Sequence, residues 1–294
     1  MKPLVDVLNA STEFLRGRGV PSPRLEVELL LAHALGLTRV QVYLQFDRPL
    51  HTEELDTIRA LVKRRGNREC LAHIVGHKEF FGREFRVRPG VLVPRPDTET
   101  LIETMLSAIS ADTACFVADV GSGSGCIGLT LALERPLVRV YAVDASEPAL
   151  AITRENVALL GLLDRVAVLR GNWLDPVPPA RAIDWVVANP PYIPSRQIDD
   201  LEPEVREHEP RLALDGGDDG LSAYRILVPV AAKRARVGVA VEVGQGQAPA
   251  VVALFSAAGL VGVTTTNDLA GTPRVVLGRR PSAVKTGNAP TSAA

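Results

Sequence analysis

Apolar residues recur with two different periods along this chain, and the change of period divides it. Leu25, Leu29, Leu30 and Ala32 followed by Leu35 mark a helical stripe that Gly36 stops. Leu55, Ile58, Leu61 and Val62 predict a second helix from about Thr52 to Arg65, with Gly66-Asn67 as its stop signal. Residues 1–75 therefore read as a small N-terminal helical bundle. From Ile74 the segments shorten. Gly76, Gly82 and Gly90 punctuate Glu79-Phe80-Phe81 and Glu84-Phe85-Arg86-Val87, which suggests a hairpin. Each proline in Val91-Leu92-Val93-Pro94-Arg95-Pro96 biases its predecessor away from helix, so this stretch is predicted extended. Residues 76–96 read as a connector.

Beyond residue 97, strands alternate with helices. The predicted strands are Phe116–Val120, Val138–Val143, Val166–Arg170, Ile183–Ala188, Val237–Val243, Val261–Thr265 and Arg274–Gly278. Helical stretches at Ile127–Glu134, Pro148–Leu160, Leu221–Arg234 and Ala248–Ala258 separate most of them. That alternation predicts an α/β domain over 97–280 with helices on both faces of its sheet. The interval from Thr265 to Arg274 is too short for a crossover helix, so the final strand must be antiparallel. The tail 281–294 is rich in Ser, Thr, Ala and Pro without periodicity, which predicts disorder.

Composition narrows the class. Of 294 residues, 46% are hydrophobic and 23% charged, with Lys+Arg 33 against Asp+Glu 34, which excludes disordered and collagen-like chains. No apolar run approaches the roughly 20 residues of a membrane span, and Asp6 and Glu13 interrupt any signal peptide, so a cytoplasmic protein is expected. Three cysteines (Cys70, Cys115, Cys126) without a C-x-x-C motif support neither a disulfide framework nor a metal site. Balanced charge gives no sign of stable nucleic-acid binding.

Two loops carry the candidate chemistry. Asp119-Val-Gly121-Ser122-Gly123-Ser124-Gly125-Cys-Ile-Gly128 follows the first strand of the α/β region and opens a helix. Glycines there let backbone approach a ligand, and the helix start presents free N–H groups. Asp144 ends the next strand, where a carboxylate can accept from both ribose hydroxyls. This is a nucleoside-cofactor site; Gly123-x-Gly125-x-x-Gly128 alone does not separate NAD from other adenosine cofactors.

Asn189-Pro190-Pro191-Tyr192 follows the fourth strand and should face the glycine loop. The asparagine oxygen and the Pro190 carbonyl are two acceptors in a stiff frame, matched to a planar –NH2 group on which Tyr192 can stack. Holding both N–H bonds aims a delocalised lone pair at an electrophile. A sulfonium methyl, as in S-adenosylmethionine, fits, and hydride transfer has no use for such a motif. The methylated cationic nitrogen sheds its proton readily, so no strong base is needed, in keeping with His208 being the sole histidine near the tetrapeptide.

At these residues the sequence resembles the HemK/PrmC family, the release factor glutamine methyltransferases. The similarity includes Val91-Leu-Val-Pro-Arg-Pro-Asp-Thr-Glu99, Asp119–Leu129, Val143-Asp-Ala-Ser146, Ile183–Ile193, Glu209-Pro-Arg-Leu-Ala-Leu214, Gly216-Gly-Asp-Asp-Gly220 and Arg274–Gly278. It implies a Rossmann-like, seven-stranded class I methyltransferase sheet. It also implies methylation of the side-chain amide of the glutamine in the Gly-Gly-Gln motif of class I peptide-chain release factors. Carried over by position, Gly121 to Gly125, Asp144, Trp173 and Asn189 would hold the cofactor, and Asn189, Pro190, Pro191 and Tyr192 the target glutamine. Asp97 stands where glutamate is usual, and Cys70 and His73 replace the commoner Pro and Tyr.

The rival reading is methylation of an exocyclic base amine in DNA or RNA, which needs a flipped base and a cationic channel. Asp199, Asp200, Glu202, Glu204, Glu207 and Glu209 follow the tetrapeptide instead, with Arg206 alone between them. Such a run would repel phosphate and attract a basic protein surface, unless it is simply a solvated face. Asp97 and Glu99 are read either as caps of the first catalytic helix or as cofactor-side groups, and Arg95 as a surface residue or the partner of a carboxylate.

Overall fold

The computed structural model of the chain describes residues 2–281; all but the first residue of the 281–294 tail lies outside them. Five helices come first: α1 (Leu4–Gly17), α2 (Pro23–Leu35), α3 (Arg39–Leu44), α4 (Thr52–Gly66) and α5 (Leu71–Val75). Helix α1 buries Leu4, Leu8 and Leu15, one side chain per turn or two, against α2 and α4. Thr38 starts α3 with a capping box, its Oγ1 accepting from the Gln41 amide while Gln41 Oε1 accepts from the Thr38 amide.

The buried face of α2 differs from the expected stripe. Val27, Leu30 and Leu31 are inside, whereas Leu25 and Leu29 are exposed. Apolar residues surround most of this helix, so periodicity could not choose the face that packs between α1 and α4. Its one charged interior residue, Glu28, accepts from Arg39 Nε at 2.7 Å and from the Tyr43 hydroxyl at 2.5 Å.

The hairpin pairs β1 (His77–Phe80) with β2 (Arg83–Arg86) through a two-residue turn, Phe81-Gly82. Both turn residues have positive φ, 51° and 70°, the geometry that matches strand twist in such turns. Phe80 and Phe85 meet edge to face and are buried in the core of the α/β unit, so the hairpin is packed into that unit. Asn156 locks it in place: its Oδ1 accepts from the Arg86 amide, and its Nδ2 donates to the carbonyls of Arg86 and Ser124.

The α/β unit then runs α6 (Glu99–Ala108), β3 (Cys115–Val120), α7 (Cys126–Glu134), β4 (Val138–Asp144), α8 (Glu147–Leu159), β5 (Val166–Arg170) and β6 (Trp185–Ala188). It continues with α9 (Pro203–Arg206), α10 (Ser222–Arg234), β7 (Gly238–Glu242), α11 (Ala248–Ala257), β8 (Val261–Asn267) and β9 (Pro273–Arg279). The sheet has seven strands in the order β5-β4-β3-β6-β7-β9-β8. All neighbours are parallel except β9, which runs antiparallel to both β7 and β8. The final strand is thus antiparallel and lies inside the sheet rather than at its edge.

Strands β6 and β7 are buried at every residue because helices cover both faces, which is why they read as continuous apolar runs. One core lies under α6, α7 and the hairpin, the other under α10 and α11. Strand order reverses between β3 and β6, and the crevice at that reversal opens at the carboxyl ends of the strands. Among the described residues no helix is long and apolar enough to cross a membrane.

Candidate active site

Register alone assembles the site. Val120 pairs with both Val143 and Ala188, and Ala188 pairs with Val241. The residues that follow, Gly121, Asp144, Asn189 and Glu242, therefore leave four adjacent strands at one level, about 4.8 Å apart from strand to strand. A cleft of about 200 Å³ opens there, walled by Gly121, Gly123, Asp144, Trp173, Asn189, Pro190 and Pro191 among others.

On the glycine side, the Gly121 and Ser122 amides donate to the Val143 carbonyl at 2.8 and 3.0 Å, which folds the loop back over β4. Gly121, Gly123 and Gly125 all have positive φ (74°, 57° and 83°), a backbone region that side chains rarely adopt. Only Gly121 and Gly123 reach the cleft wall. Ser122 and Ser124 are buried beneath it, so their side chains do not face a ligand, and Gly125 is packed against Leu129 and Thr153 as the start of α7. The loop turns Gly121 and Gly123 toward the cleft and buries both serines and Gly125 away from it.

Asp144 is already engaged. Its Oδ2 accepts from the Gly123 amide and its Oδ1 from the Ser146 amide, both at 2.8 Å. A carboxylate oxygen has two lone pairs, so each still has one for a ribose hydroxyl. Asp119, one strand away, is fully buried; it accepts from the Gly128 amide at 2.9 Å, and burial pushes its carboxyl up to about 7. Trp173 lines the cleft on a loop with positive φ (50°) while resting partly on the core under α10.

On the opposite side, Asn189 lines the cleft and its Nδ2 donates to Thr98 Oγ1 at 3.2 Å. With the amide nitrogen engaged, Oδ1 is the atom left for a ligand. The Pro190 carbonyl is bonded to the nitrogen of Pro191, which carries no N–H to compete for it. Tyr192 is half-buried. Its ring is not on the cleft wall but over Gly244, where any Cβ would come within 2.9 Å of Cδ2. Its carbonyl accepts from Gln247 Nε2 at 2.8 Å, and burial together with the charge of Glu242 pushes its phenol up to about 12. Gly216 and Gly220 press against its backbone, leaving no room for a Cβ, so the Gly216–Gly220 segment buttresses the tetrapeptide.

The acidic run is largely neutralised within the molecule. Glu204 is bound by Arg65 Nη2 at 2.7 Å and Arg68 Nε at 2.6 Å, and Glu202 by Arg68 at 3.0 Å. Burial raises the Glu204 carboxyl, but these arginines hold it down at about 2. Arg95 donates to the buried Glu209 at 2.7 Å, and Arg206 pairs with Glu207. Asp199 and Asp200 remain exposed. Pairing with arginines of the chain itself accounts for four of the six acidic residues, and the helical bundle supplies the partners of two, Glu202 and Glu204.

Neither residue at the head of α6 faces the cofactor side. Asp97 pairs with Arg274 at 2.7 Å, and Glu99 accepts from the Phe81 amide at 2.9 Å, anchoring the hairpin turn. Sequence reasoning missed Thr98, Glu242, Gln247 and the wall residues Pro210, Leu212 and Ala213. One signal was legible: Glu242 is a charge at the carboxyl end of an otherwise apolar strand. Among the described residues no group of side chains could hold a metal ion.

Residues 6–76 match the PrmC N-terminal domain family, and residues 87–206 the methyltransferase small domain family. A release factor glutamine methyltransferase of Geobacter sulfurreducens is 45% identical over 275 residues, 93% of this chain and 95% of that protein. One of Caulobacter vibrioides is 44% identical over 277 residues, 94% and 96% of the two chains. Among solved structures, the hMettl16 catalytic domain in complex with the MAT2A 3′UTR hairpin 6 has a TM-score of 0.57 at 14% identity, over 79% of this chain and 84% of that one. This last likeness is one of fold alone.

Proposed function

The chain belongs to the release factor glutamine methyltransferase family, and from that premise we propose that it methylates the side-chain amide nitrogen of the glutamine in the Gly-Gly-Gln motif of class I peptide-chain release factors, with S-adenosylmethionine as donor. The observation that carries this reading is that Asn189, its Nδ2 held by Thr98, and Pro190 line the same cleft as Gly121, Gly123 and Asp144.

The wall residues suit that donor. Gly121 and Gly123 allow its methionine portion to lie against backbone, Asp144 keeps a lone pair on each oxygen for the ribose, and Trp173 offers a flat apolar face to the adenine. S-adenosylmethionine supplies a sulfonium methyl whose C–S bond breaks with its electron pair left on sulfur. The residues of this chain supply orientation. Asn189 Oδ1 and the Pro190 carbonyl accept the two amide N–H bonds of the glutamine, which turns the nitrogen lone pair out of the line of those acceptors and toward the methyl carbon. The new N–C bond makes the nitrogen cationic, and it returns to neutrality by losing one proton to solvent. No side-chain base is required, and among the described residues no histidine lines the cleft. A release-factor substrate assigns the reaction to the cytoplasm, with no role for a membrane or stable nucleic-acid binding.

The test uses labelled S-adenosylmethionine with three acceptors: a release factor, the same factor with its glutamine replaced by alanine, and DNA or RNA. Label on the first alone is the expected result. Label on nucleic acid would reverse the proposal in favour of an exocyclic amine.

A further inference from the structure

Glu242 is a deeply buried charge beside Asn189, and nothing so far gives it a task. It is 1% exposed, and neither of its carboxylate oxygens has a hydrogen-bond partner of ordinary geometry. A buried carboxyl without partners is costly, so its presence needs a reason. The parallel register Ala188↔Val241 sets it beside Asn189. The side chains of Thr98 and Asn189 face it and favour its charged form. Thr98 is itself 2% exposed and accepts from Asn189 Nδ2 at 3.2 Å.

Resting on the reading of Asn189 given above, we propose that Glu242 is a positioning residue: its carboxylate, acting through the Thr98 hydroxyl, fixes which end of the Asn189 amide faces the cleft. An ionised carboxylate only accepts, whereas a hydroxyl both accepts and donates. Thr98 must then give its single proton to Glu242, and its oxygen can only accept from Asn189. The chain Asn189 N–H to Thr98 O–H to Glu242 has one direction, and that direction leaves Oδ1 for the substrate nitrogen. A protonated Glu242 could donate instead, which permits the reversed chain and a flipped amide with N–H groups facing the N–H groups of the substrate.

Several groups surround the carboxyl. Asp97 comes from the turn that carries Thr98, Arg274 from β9, Tyr192 from the tetrapeptide, Tyr224 from α10 and Cys126 from α7. Burial dominates and pushes Glu242 up to about 7; Asp97 adds to the rise, while Thr98, Arg274 and Asn189 oppose it. Orientation should therefore be lost as pH falls through 7, and kcat should fall with it. Asp119 titrates in the same region, so the profile alone does not assign the group.

The experiment combines turnover with infrared titration on the full chain. Glu242→Gln keeps the shape but both donates and accepts. It should lower kcat about tenfold to a hundredfold above pH 7, leave the dissociation constant for S-adenosylmethionine within about twofold, and erase the acid limb of the kcat profile. Thr98→Val should act alike and Thr98→Ser should restore the rate. In the infrared, the protonated-carboxyl band absent from Glu242→Gln marks this group, and Thr98→Val should raise its midpoint by removing a donor. An unchanged acid limb and rate in Glu242→Gln, or an unmoved midpoint in Thr98→Val, would overturn the proposal. The expected infrared response in an enzyme that labels no release factor would support the chain and overturn the release-factor reading instead.

Discussion

At Asn189 the amide nitrogen is held by Thr98 Oγ1, so replacing the residue by alanine removes one acceptor and leaves the Gly121–Asp144 wall intact. Loss of a single well-placed polar group at a reacting centre lowers kcat about 10²–10³-fold. Asn189→Ala should show that loss in single-turnover kinetics, with donor affinity by calorimetry changed far less. Asp144→Ala should do the converse. Its carboxylate orders the Gly123 and Ser146 amides and faces the cleft, and charged hydrogen bonds of this kind correspond to a roughly 10–100-fold weaker dissociation constant. Both residues were legible in the sequence because each follows a strand at a position where α/β sheets bind ligands. Thr98 and Glu242 were not assigned any role, since neither makes sense until β6 and β7 are known to be neighbours. The inward turn of Ser122 and Ser124, and of the Tyr192 ring, likewise depends on packing that no spacing encodes.

Among elements, the alternation of apolar strands and helices was enough to read the seven-stranded sheet and the reversed final strand, because both follow from local periods and one short interval. The buried face of α2 was not readable, since Leu25, Leu29, Leu30 and Leu31 are equally apolar and only the neighbours of α2 choose among them. The acidic run shows the same limit: its charge was plain, but Arg68 and Arg95, which hold Glu202, Glu204 and Glu209, lie more than a hundred residues away. Helix α9 carries Glu204, whose carboxyl the arginines hold at about 2, below the ordinary 4.5. A depressed carboxyl stabilises the fold fully above the unfolded value and loses that contribution as pH falls from about 4.5 toward 2. Glu204→Gln should lower stability at neutral pH by about 1–3 kcal/mol. In urea unfolding it should also flatten the pH dependence across that window.

On the scale of the whole molecule, the helical bundle and the α/β unit have separate cores, joined by a small apolar cluster that includes Ala72, Ala149 and Ile152 and by charged side chains. Arg68 donates to the Gly19 carbonyl, Glu202 and Glu204, linking the bundle to the segment that continues into Pro210, Leu212 and Ala213. Those three residues also wall the cleft, and Glu209, just before them, is fastened by Arg95. The bundle thus braces one side of the cleft from outside it. Arg68→Ala should weaken binding of S-adenosylmethionine by about 1 kcal/mol, roughly fivefold. Its single-turnover rate at saturating donor should stay close to that of the unaltered enzyme, because Asn189 and Pro190 are held by β6 and the Gly216–Gly220 segment instead. Glu207→Gln, which breaks only the exposed pair with Arg206, serves as the control and should leave donor affinity unchanged. Equal affinities in the two variants would mean that the bundle touches the reaction through its substrate alone; a selective loss in Arg68→Ala would make the seam between the cores part of the cofactor site.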